Sequence, residues 1–174
     1  MTNPHEQAAS PASSVPAAMA AGRTESDADL GDATILLVDD NPQNLELLQA
    51  YLEDLPCKIV LATDGDEALR AVEQSPPDLV LLDIMMPKMS GFQVCSRLKK
   101  SPATSDIPVV MVTALNEVSD VERAVDCGAD DFLTKPVHRL ELLTRTRSFL
   151  RLRKLRKQLN STLAELRSLK EGRQ

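Results

Sequence analysis

Aromatic residues are scarce in this chain of 174 residues, which has no tryptophan, one tyrosine and three phenylalanines. Hydrophobic residues make up 43% of the chain, enough for one domain whose core must be built from aliphatic side chains. The same scarcity leaves few rings on which a base or a sugar could stack. It therefore disfavours a function that depends on stacking.

Cysteines are also few. Cys57, Cys95 and Cys127 are widely spaced and odd in number, so the sequence predicts neither a disulfide framework nor a zinc site. We expect three small apolar side chains packed inside the protein, in a reducing compartment. No apolar run reaches the roughly 18 residues that span a membrane, and no basic region followed by an apolar core begins the chain. The sequence predicts a soluble, cytoplasmic protein.

Positive charge is rare over most of the chain. Residues 1–138 carry 9 Lys and Arg against 23 Asp and Glu, whereas residues 139–174 carry 11 against 3. The net charge of −6 therefore hides an acidic body followed by a basic C-terminal segment.

The chain divides into three predicted parts. Residues 1–32 are rich in Ala, Ser and Pro without a sustained period, which predicts a disordered leader. Residues 33–150 alternate between apolar and amphipathic segments and predict one folded domain. Residues 151–174 predict a C-terminal helical extension.

Within the domain, aliphatic strands alternate with amphipathic helices. This pattern predicts an α/β fold in which a doubly wound parallel sheet of five strands carries helices on both faces. Asn41 and Pro42 provide a helix start, with Asn41 as the N-cap. The predicted strands are 34–39, 58–62, 78–83, 107–114 and 130–136. The first predicted helix starts at Asn41-Pro42. Three more are predicted over 67–73, 90–100 and 117–128, and a last helix runs from about residue 137 onward.

Polar side chains stand where these strands end. Asp39 and Asp40 end the first strand and Asp83 ends the third, while Thr113 and Lys135 end the fourth and fifth. Ligands of open parallel sheets bind beyond the carboxyl ends of the strands. If the first and third strands are neighbours, the three carboxylates repel one another unless a cation lies between them. Their oxygens suit Mg²⁺, and the lysine and the hydroxyl suit a phosphoryl group.

The acid pair, the single acid, the hydroxyl and the Lys135-Pro136 dipeptide, in this order, resemble the receiver domain of two-component response regulators. The resemblance covers residues 34 to about 150. It implies a flavodoxin-like sheet with strand order 2-1-3-4-5. Receivers that contain a stretch like "VDDNPQNLELL" and an arginine-rich last helix are similar to those found ahead of cyclic-dinucleotide signalling enzymes or in hybrid kinases.

The resemblance also implies a role for each matched residue. Asp83 would accept a phosphoryl group from a histidine kinase or a phosphotransfer protein. Thr113 and Phe132 would form a switch, in which the threonine moves inward on phosphorylation and the ring becomes buried. One Mg²⁺ would be bound by Asp39, Asp40, Asp83 and the backbone carbonyl of Met85. The phosphoryl group would lie against Thr113, Ala114 and Lys135, and the bond to Pro136 would be cis.

The predicted last helix carries two further patterns. Leu140, Leu143 and Leu150 are expected to close the domain core. The leucines beyond them follow alternating spacings of three and four residues, the a/d seam of a coiled coil, which predicts a homodimer with a helical stalk. The seam consists of Leu152, Leu155, Leu159, Thr162, Leu166 and Leu169.

A basic block on the same helix leaves three interpretations open. It could be a solvated face, a surface for an acidic partner such as the receiver of another copy, or a nucleic-acid-binding segment. The last is disfavoured because the helix is poor in aromatic residues. The block consists of Arg145, Arg147, Arg151, Arg153, Lys154, Arg156 and Lys157.

The leading hypothesis is a phosphorylation-switched signalling module that acts on an unknown downstream protein. It would be no enzyme beyond its own phosphotransfer and dephosphorylation. The chain could instead be the receiver fragment of a larger regulator. An aspartyl-phosphate phosphatase of the haloacid dehalogenase type would need an acid at Met85, and a nucleotide-binding fold would need a GxGxxG motif where this chain has "DDNPQN". The intact acids argue against a receiver that is only a scaffold.

Overall fold

The computed structural model describes residues 30–114 and 126–171. Five parallel strands form one sheet in the order β2-β1-β3-β4-β5, which confirms the predicted topology. The strands are β1 (Thr34–Val38), β2 (Lys58–Ala62), β3 (Leu79–Asp83), β4 (Val109–Thr113) and β5 (Asp131–Thr134). The described helices are α1 (Pro42–Leu52), α2 (Gly65–Gln74), α3 (Gly91–Lys100) and α4 (Arg139–Glu171).

Strands β1, β3 and β4 send alternate side chains to opposite faces of the sheet. In β1, Leu36 and Val38 join a cluster beneath α2 and α3, while Ile35 and Leu37 join a second cluster beneath α1 and α4. Successive strand residues point in opposite directions, so a strand covered on both faces must be apolar along its whole length. This requirement explains the aliphatic runs of the sequence.

Side-chain caps set the starts of two helices. The Asn41 side chain accepts a hydrogen bond from the Gln43 N–H at 2.9 Å, which confirms it as the N-cap of α1. Helix α2 begins at Gly65, two residues before the predicted start, because the Asp64 carboxylate accepts from the Glu67 N–H at 2.7 Å.

Two predicted segments lie at the edges of the described residues. The helix predicted over 117–128 lies largely outside the described residues. Gly128 at its end has a φ of +84°, the left-handed conformation that favours glycine at a helix terminus. Leu30, assigned to the leader, is 2% exposed and packs with the cluster beneath α1 and α4. Leu30 therefore packs with the folded domain, while the predicted domain bounds stay predictions.

Helix α4 has 33 residues, about 50 Å at 1.5 Å per residue. Leu143 and Leu150 are buried as predicted, but the prediction for Leu140 is wrong, because that side chain is 76% exposed. Leu142 is fully buried instead. At 100° per residue, Leu140 lies roughly 110° away from the centre of the buried face. None of the described helices combines the length and the hydropathy that a membrane span requires.

The basic block of α4 partly contacts the acidic body of its own chain. Arg145 pairs with Asp131, and Arg153, which is 8% exposed, pairs with Asp106. The block is thus neither a fully solvated face nor a surface reserved for another copy. Two further pairs are Lys157 with Asp78 and, before the block, Arg139 with Asp54.

Candidate functional site

Three carboxylates meet at the carboxyl edge of the sheet. Asp39 and Asp40 directly follow β1 and Asp83 ends β3, and the pairing of these two strands brings them together. One oxygen from each lies within 4.8 Å of the other two. Asp39 and Asp83 are buried and Asp40 is exposed. In the parts of the chain that the structure describes, no other group of three or more acidic, histidine or cysteine side chains is arranged to hold a metal ion.

The ammonium group of Lys135 lies between the two buried carboxylates. Its Nζ atom donates to Asp39 Oδ2 at 2.8 Å and to Asp83 Oδ1 at 2.7 Å. Burial favours a lower pKa for Lys135, but the hydrogen bonds and charges of both carboxylates outweigh it and raise the pKa. Burial raises the pKa of Asp83, although the hydrogen bond and charge of Lys135 act against that rise. One ammonium group therefore only partly balances three carboxylates.

Asn44 belongs to the site, although the sequence pattern did not single it out. Its side-chain nitrogen donates to both carboxylate oxygens of Asp39, at 3.0 Å each. The backbone N–H of Asn41 donates to Asp39 Oδ1 at 2.9 Å. Together these bonds fix the orientation of Asp39. The sequence signal available for Asn44 was a polar residue in the first turn of the helix that follows an acidic strand end. Many exposed helix residues show the same signal, so it does not identify a site residue.

Strands β4 and β5 contribute the predicted phosphoryl-binding residues. Thr113 ends β4, is buried, and is paired in register with Thr134 of β5. The Lys135 N–H donates to the Thr113 carbonyl oxygen at 2.6 Å, so the lysine leaves β5 next to the end of β4. Ala114 is exposed beside Thr113, and the Lys135–Pro136 peptide bond is cis.

Phe132 and Met85 lie at the margin of the site. Phe132 is on β5, three residues before the lysine, and its side chain is 40% exposed. The Met85 side chain is 63% exposed, and its backbone N–H acts against the rise in the pKa of Asp83. The roles predicted for the Phe132 ring and for the Met85 carbonyl stay predictions.

Gly91 allows helix α3 to start directly behind Asp83. A Cβ atom at Gly91 would lie 2.1 Å from the Asp83 carbonyl oxygen, far inside van der Waals contact. The Gly91 N–H donates to the Ile84 carbonyl at 3.0 Å, which closes the loop after β3. A glycine is thus required where the backbone of the site approaches the helix.

The sequence profile of the response regulator receiver domain family matches residues 35–147. The chain belongs to this family. Receivers are signalling domains rather than metabolic enzymes, and membership sets aside the interpretation as a phosphatase of the haloacid dehalogenase type.

Two curated relatives support the assignment. Over 117 residues this receiver is 44% identical to the DNA-binding dual master transcriptional regulator RpaA of Synechocystis sp.. Over 119 residues it is 45% identical to the response regulator PleD of Caulobacter vibrioides. The matches cover 67% and 68% of this chain but 48% and 26% of the relatives, so the chain spans about half or a quarter of their length.

Solved structures resemble the receiver along almost their whole length. The signal receiver domain of a histidine kinase from Syntrophus aciditrophicus has a TM-score of 0.64 at 37% identity, covering 68% of this chain and 89% of that one. A CheY-like receiver domain protein from Methanospirillum hungatei has a TM-score of 0.67 at 26% identity, covering 72% and 98%.

Proposed function

We propose that Asp83 is the phosphoacceptor of a phosphorylation-controlled signalling receiver. The observation that carries this proposal is the Lys135 ammonium group within 2.8 Å of both buried carboxylates, at the edge where parallel sheets bind ligands. The donor would be the phosphohistidine of a histidine kinase or a phosphotransfer protein. The receiver would catalyse only the gain and loss of its own phosphoryl group.

In this reaction an Asp83 oxygen forms a bond to phosphorus while the bond between phosphorus and the histidine nitrogen breaks. The electron pair of that bond stays on the imidazole. The Asn44 amide holds Asp39, and Lys135 then faces the phosphoryl oxygens with its positive charge. Ala114 leaves space for the incoming donor. Catalysis therefore consists of positioning and charge stabilisation.

The acid cluster fits one Mg²⁺ ion. Carboxylate oxygens are the ligands that this ion prefers, and a single lysine leaves the cluster negatively charged. Asp39, Asp40, Asp83 and the Met85 carbonyl would hold the ion, which would neutralise charge on the phosphoryl oxygens. Calorimetric titration with Mg²⁺ should show weaker binding to Asp40→Asn than to wild type. Equal affinity would remove Asp40 from the ligand set.

Phosphorylation of Asp83 can be tested with acetyl phosphate and Mg²⁺. Intact-mass spectrometry should show one phosphoryl adduct on the wild type and none on Asp83→Asn. Asp66→Asn is the matched control, because Asp66 is an exposed acid in the first turn of α2, and it should gain the adduct. An adduct that persists on Asp83→Asn would reject the assignment.

The proposed switch consists of Thr113 and Phe132. The threonine hydroxyl would bind a phosphoryl oxygen, and the Phe132 ring, now 40% exposed, would become buried as the threonine moves. Thr113→Ala should still accept a phosphoryl group but should not bury the ring. Aromatic proton NMR with and without phosphorylation would detect the change. Equal ring shifts in wild type and Thr113→Ala would reject the coupling.

The proposed output element is a dimeric stalk formed by α4. The seam leucines are exposed, with exposed fractions from 53% to 67%. Sedimentation should show a dimer that is lost in Leu159→Asp but kept in Ala164→Asp, which adds the same charge on the far side of the helix. A wild type that stays monomeric at micromolar concentration, phosphorylated or not, would refute the stalk. The seam leucines are Leu152, Leu155, Leu159, Leu166 and Leu169.

The downstream partner is proposed to be a protein. The curated relatives extend beyond the matched region, so this receiver could equally control further domains of a longer regulator. Its three reduced thiols suit action in the cytoplasm. Affinity capture with phosphorylated wild type, compared with Asp83→Asn, would separate partners that depend on the switch from those that do not.

A further inference from the structure

Two cysteines that are far apart in sequence meet behind the sheet. Cys95 is a fully buried residue of α3, and Cys127 lies partly exposed just before β5. The Cys95 thiol donates to the Cys127 carbonyl oxygen at 3.4 Å, and the two thiols are near enough to shift each other's pKa. Both side chains pack on the same apolar cluster, and both are reduced. The third cysteine, Cys57, packs against the cluster on the other face of the sheet.

The two thiols differ in ionisation. The hydrogen bond from Cys95 lowers the pKa of Cys127 to about 7, although burial opposes the shift. The same hydrogen bond, with burial, raises the pKa of Cys95. Burial raises the pKa of Cys57 to about 11. Since the thiolate is the nucleophile, Cys127 is the thiol most prepared to react, and it is also the more exposed member of the pair.

We propose that Cys95 and Cys127 form a redox-modification site that takes a hydroperoxide as oxidant. The Cys127 thiolate attacks the outer peroxide oxygen, the O–O bond breaks, and hydroxide or alkoxide leaves, which yields a sulfenic acid. The Cys95 thiol then attacks the Cys127 sulfur and displaces water, so that a disulfide forms. In sum, two thiols are oxidised by two electrons, and the peroxide is reduced to water or to water and an alcohol.

The position of the pair gives the disulfide a structural consequence. Cys127 precedes β5, whose far end leads into Lys135. Asp130 already joins this strand entrance to α3 and β4, because its carboxylate accepts from Lys99 and from the Val109 N–H at 2.7 Å each. A disulfide would replace these exchangeable contacts with a covalent link. The inference does not depend on phosphorylation of Asp83.

The test is oxidation of the full chain by hydrogen peroxide, followed by peptide mapping. The wild type should form a Cys95–Cys127 disulfide and leave Cys57 reduced. In a Cys57→Ser background, Cys95→Ser should accumulate a sulfenic acid at Cys127 that dimedone captures, whereas Cys127→Ser should form neither product. Circular dichroism checks that each variant is folded.

Three results would overturn the proposal. The first is wild-type protein whose Cys95 and Cys127 stay thiols at a peroxide dose that oxidises exposed methionine. The second is a main disulfide that includes Cys57. The third is alkylation of Cys95 before Cys127 in the native wild type. The first and third comparisons need no variant, so a variant that fails to fold leaves the test intact.

Discussion

At the residue scale, the site places negative charge where water is excluded. Asp39 is 1% and Asp83 4% exposed, yet both carboxylates share a single ammonium group. The desolvation penalty of a buried carboxylate exceeds the attraction to one shared ammonium group unless further hydrogen bonds satisfy the carboxylate oxygens. Asn44 donates such hydrogen bonds to Asp39 but not to Asp83. The Asp83 carboxylate is therefore the more unfavourable charge of the two, which would suit a group whose charge the proposed phosphorylation changes.

The first prediction concerns Asp83 and pH. Because folding raises the pKa of Asp83, its contribution to stability is complete below the ordinary pKa of about 3.9 and is lost as pH rises through the folded value. Asp83→Asn lacks this loss. Urea denaturation without divalent cations should therefore show an advantage for the variant that grows from about pH 4 toward neutrality. A stability difference between Asp83→Asn and wild type that stays flat with pH would contradict the prediction.

The second prediction compares two glycines. Gly91→Ala forces a Cβ atom against a backbone oxygen, whereas the three atoms nearest to a Cβ at Gly65 belong to the side chains of Val94 and Met89, at 2.9 to 3.0 Å. Side chains can shift and the backbone behind Asp83 cannot. We expect Gly91→Ala to lower the free energy of unfolding by about 1–3 kcal/mol, and Gly65→Ala to cost less. Denaturant titration measures both, and the reverse ranking would contradict the steric argument.

At the scale of elements, helix α4 is attached mainly by apolar burial. Leu142, Leu143 and Leu150 are at most 4% exposed, and each contributes about 1.5–3 kcal/mol when fully buried. The ion pairs to the acidic body are partly solvated and contribute about 0–1 kcal/mol each. The ion pairs therefore affect the orientation of α4 more than the stability of its attachment. Arg153 is the exception, since it is buried and also donates to the Asp106 carbonyl at 3.0 Å.

The third prediction follows from that exception. Arg153→Ala removes a buried stem, a charge partner of Asp106 and a backbone hydrogen bond, so it should lower the free energy of unfolding by about 1–3 kcal/mol. Arg167→Ala, on the exposed part of the same helix, should change it by less than about 0.5 kcal/mol. Equal effects of the two substitutions, measured by urea denaturation, would show that α4 is not anchored at Arg153.

At the scale of the whole molecule, the chain combines a receiver body with a helix, α4, that extends beyond it. Residues 155–170 are all exposed, and Lys157 within this stretch pairs with Asp78 of the body. Because the leucines on this part of α4 are exposed, contacts within its own chain contribute little to its stability. Its stabilisation would come from a second copy.

The fourth prediction separates these two contributions. Deletion of residues 159–174 should leave the unfolding free energy of the monomer within about 1 kcal/mol of wild type, since the exposed leucines it removes are unburied. The full chain, in contrast, should become more stable as its concentration rises. Thermal denaturation over a range of concentrations tests both statements. A truncated protein with a loss of several kcal/mol, or a full chain without concentration dependence, would contradict this division.

Much of the site was predictable because its signals are local. Aliphatic strands that end in acid reveal both the α/β class and the residues that reach the ligand-binding edge, since strand period and strand end are read directly from neighbouring residues. Asp64 shows the limit of such signals, because "TDGD" predicts a helix start but not its first residue. Leu140 shows a second limit. If the predicted buried face of a helix is rotated relative to the real one, leucines predicted to be buried are exposed and others are buried instead.

What the sequence by itself determined is therefore the set of chemical groups and the strand ends on which they stand. Tertiary structure decided which distant groups meet: Lys135 with Asp39 and Asp83, and Cys95 with Cys127. The physical reason is distance along the chain. Contacts across 32 to 96 residues depend on how strands pair and helices pack, and most of these partners leave no periodic signal in their own neighbourhoods.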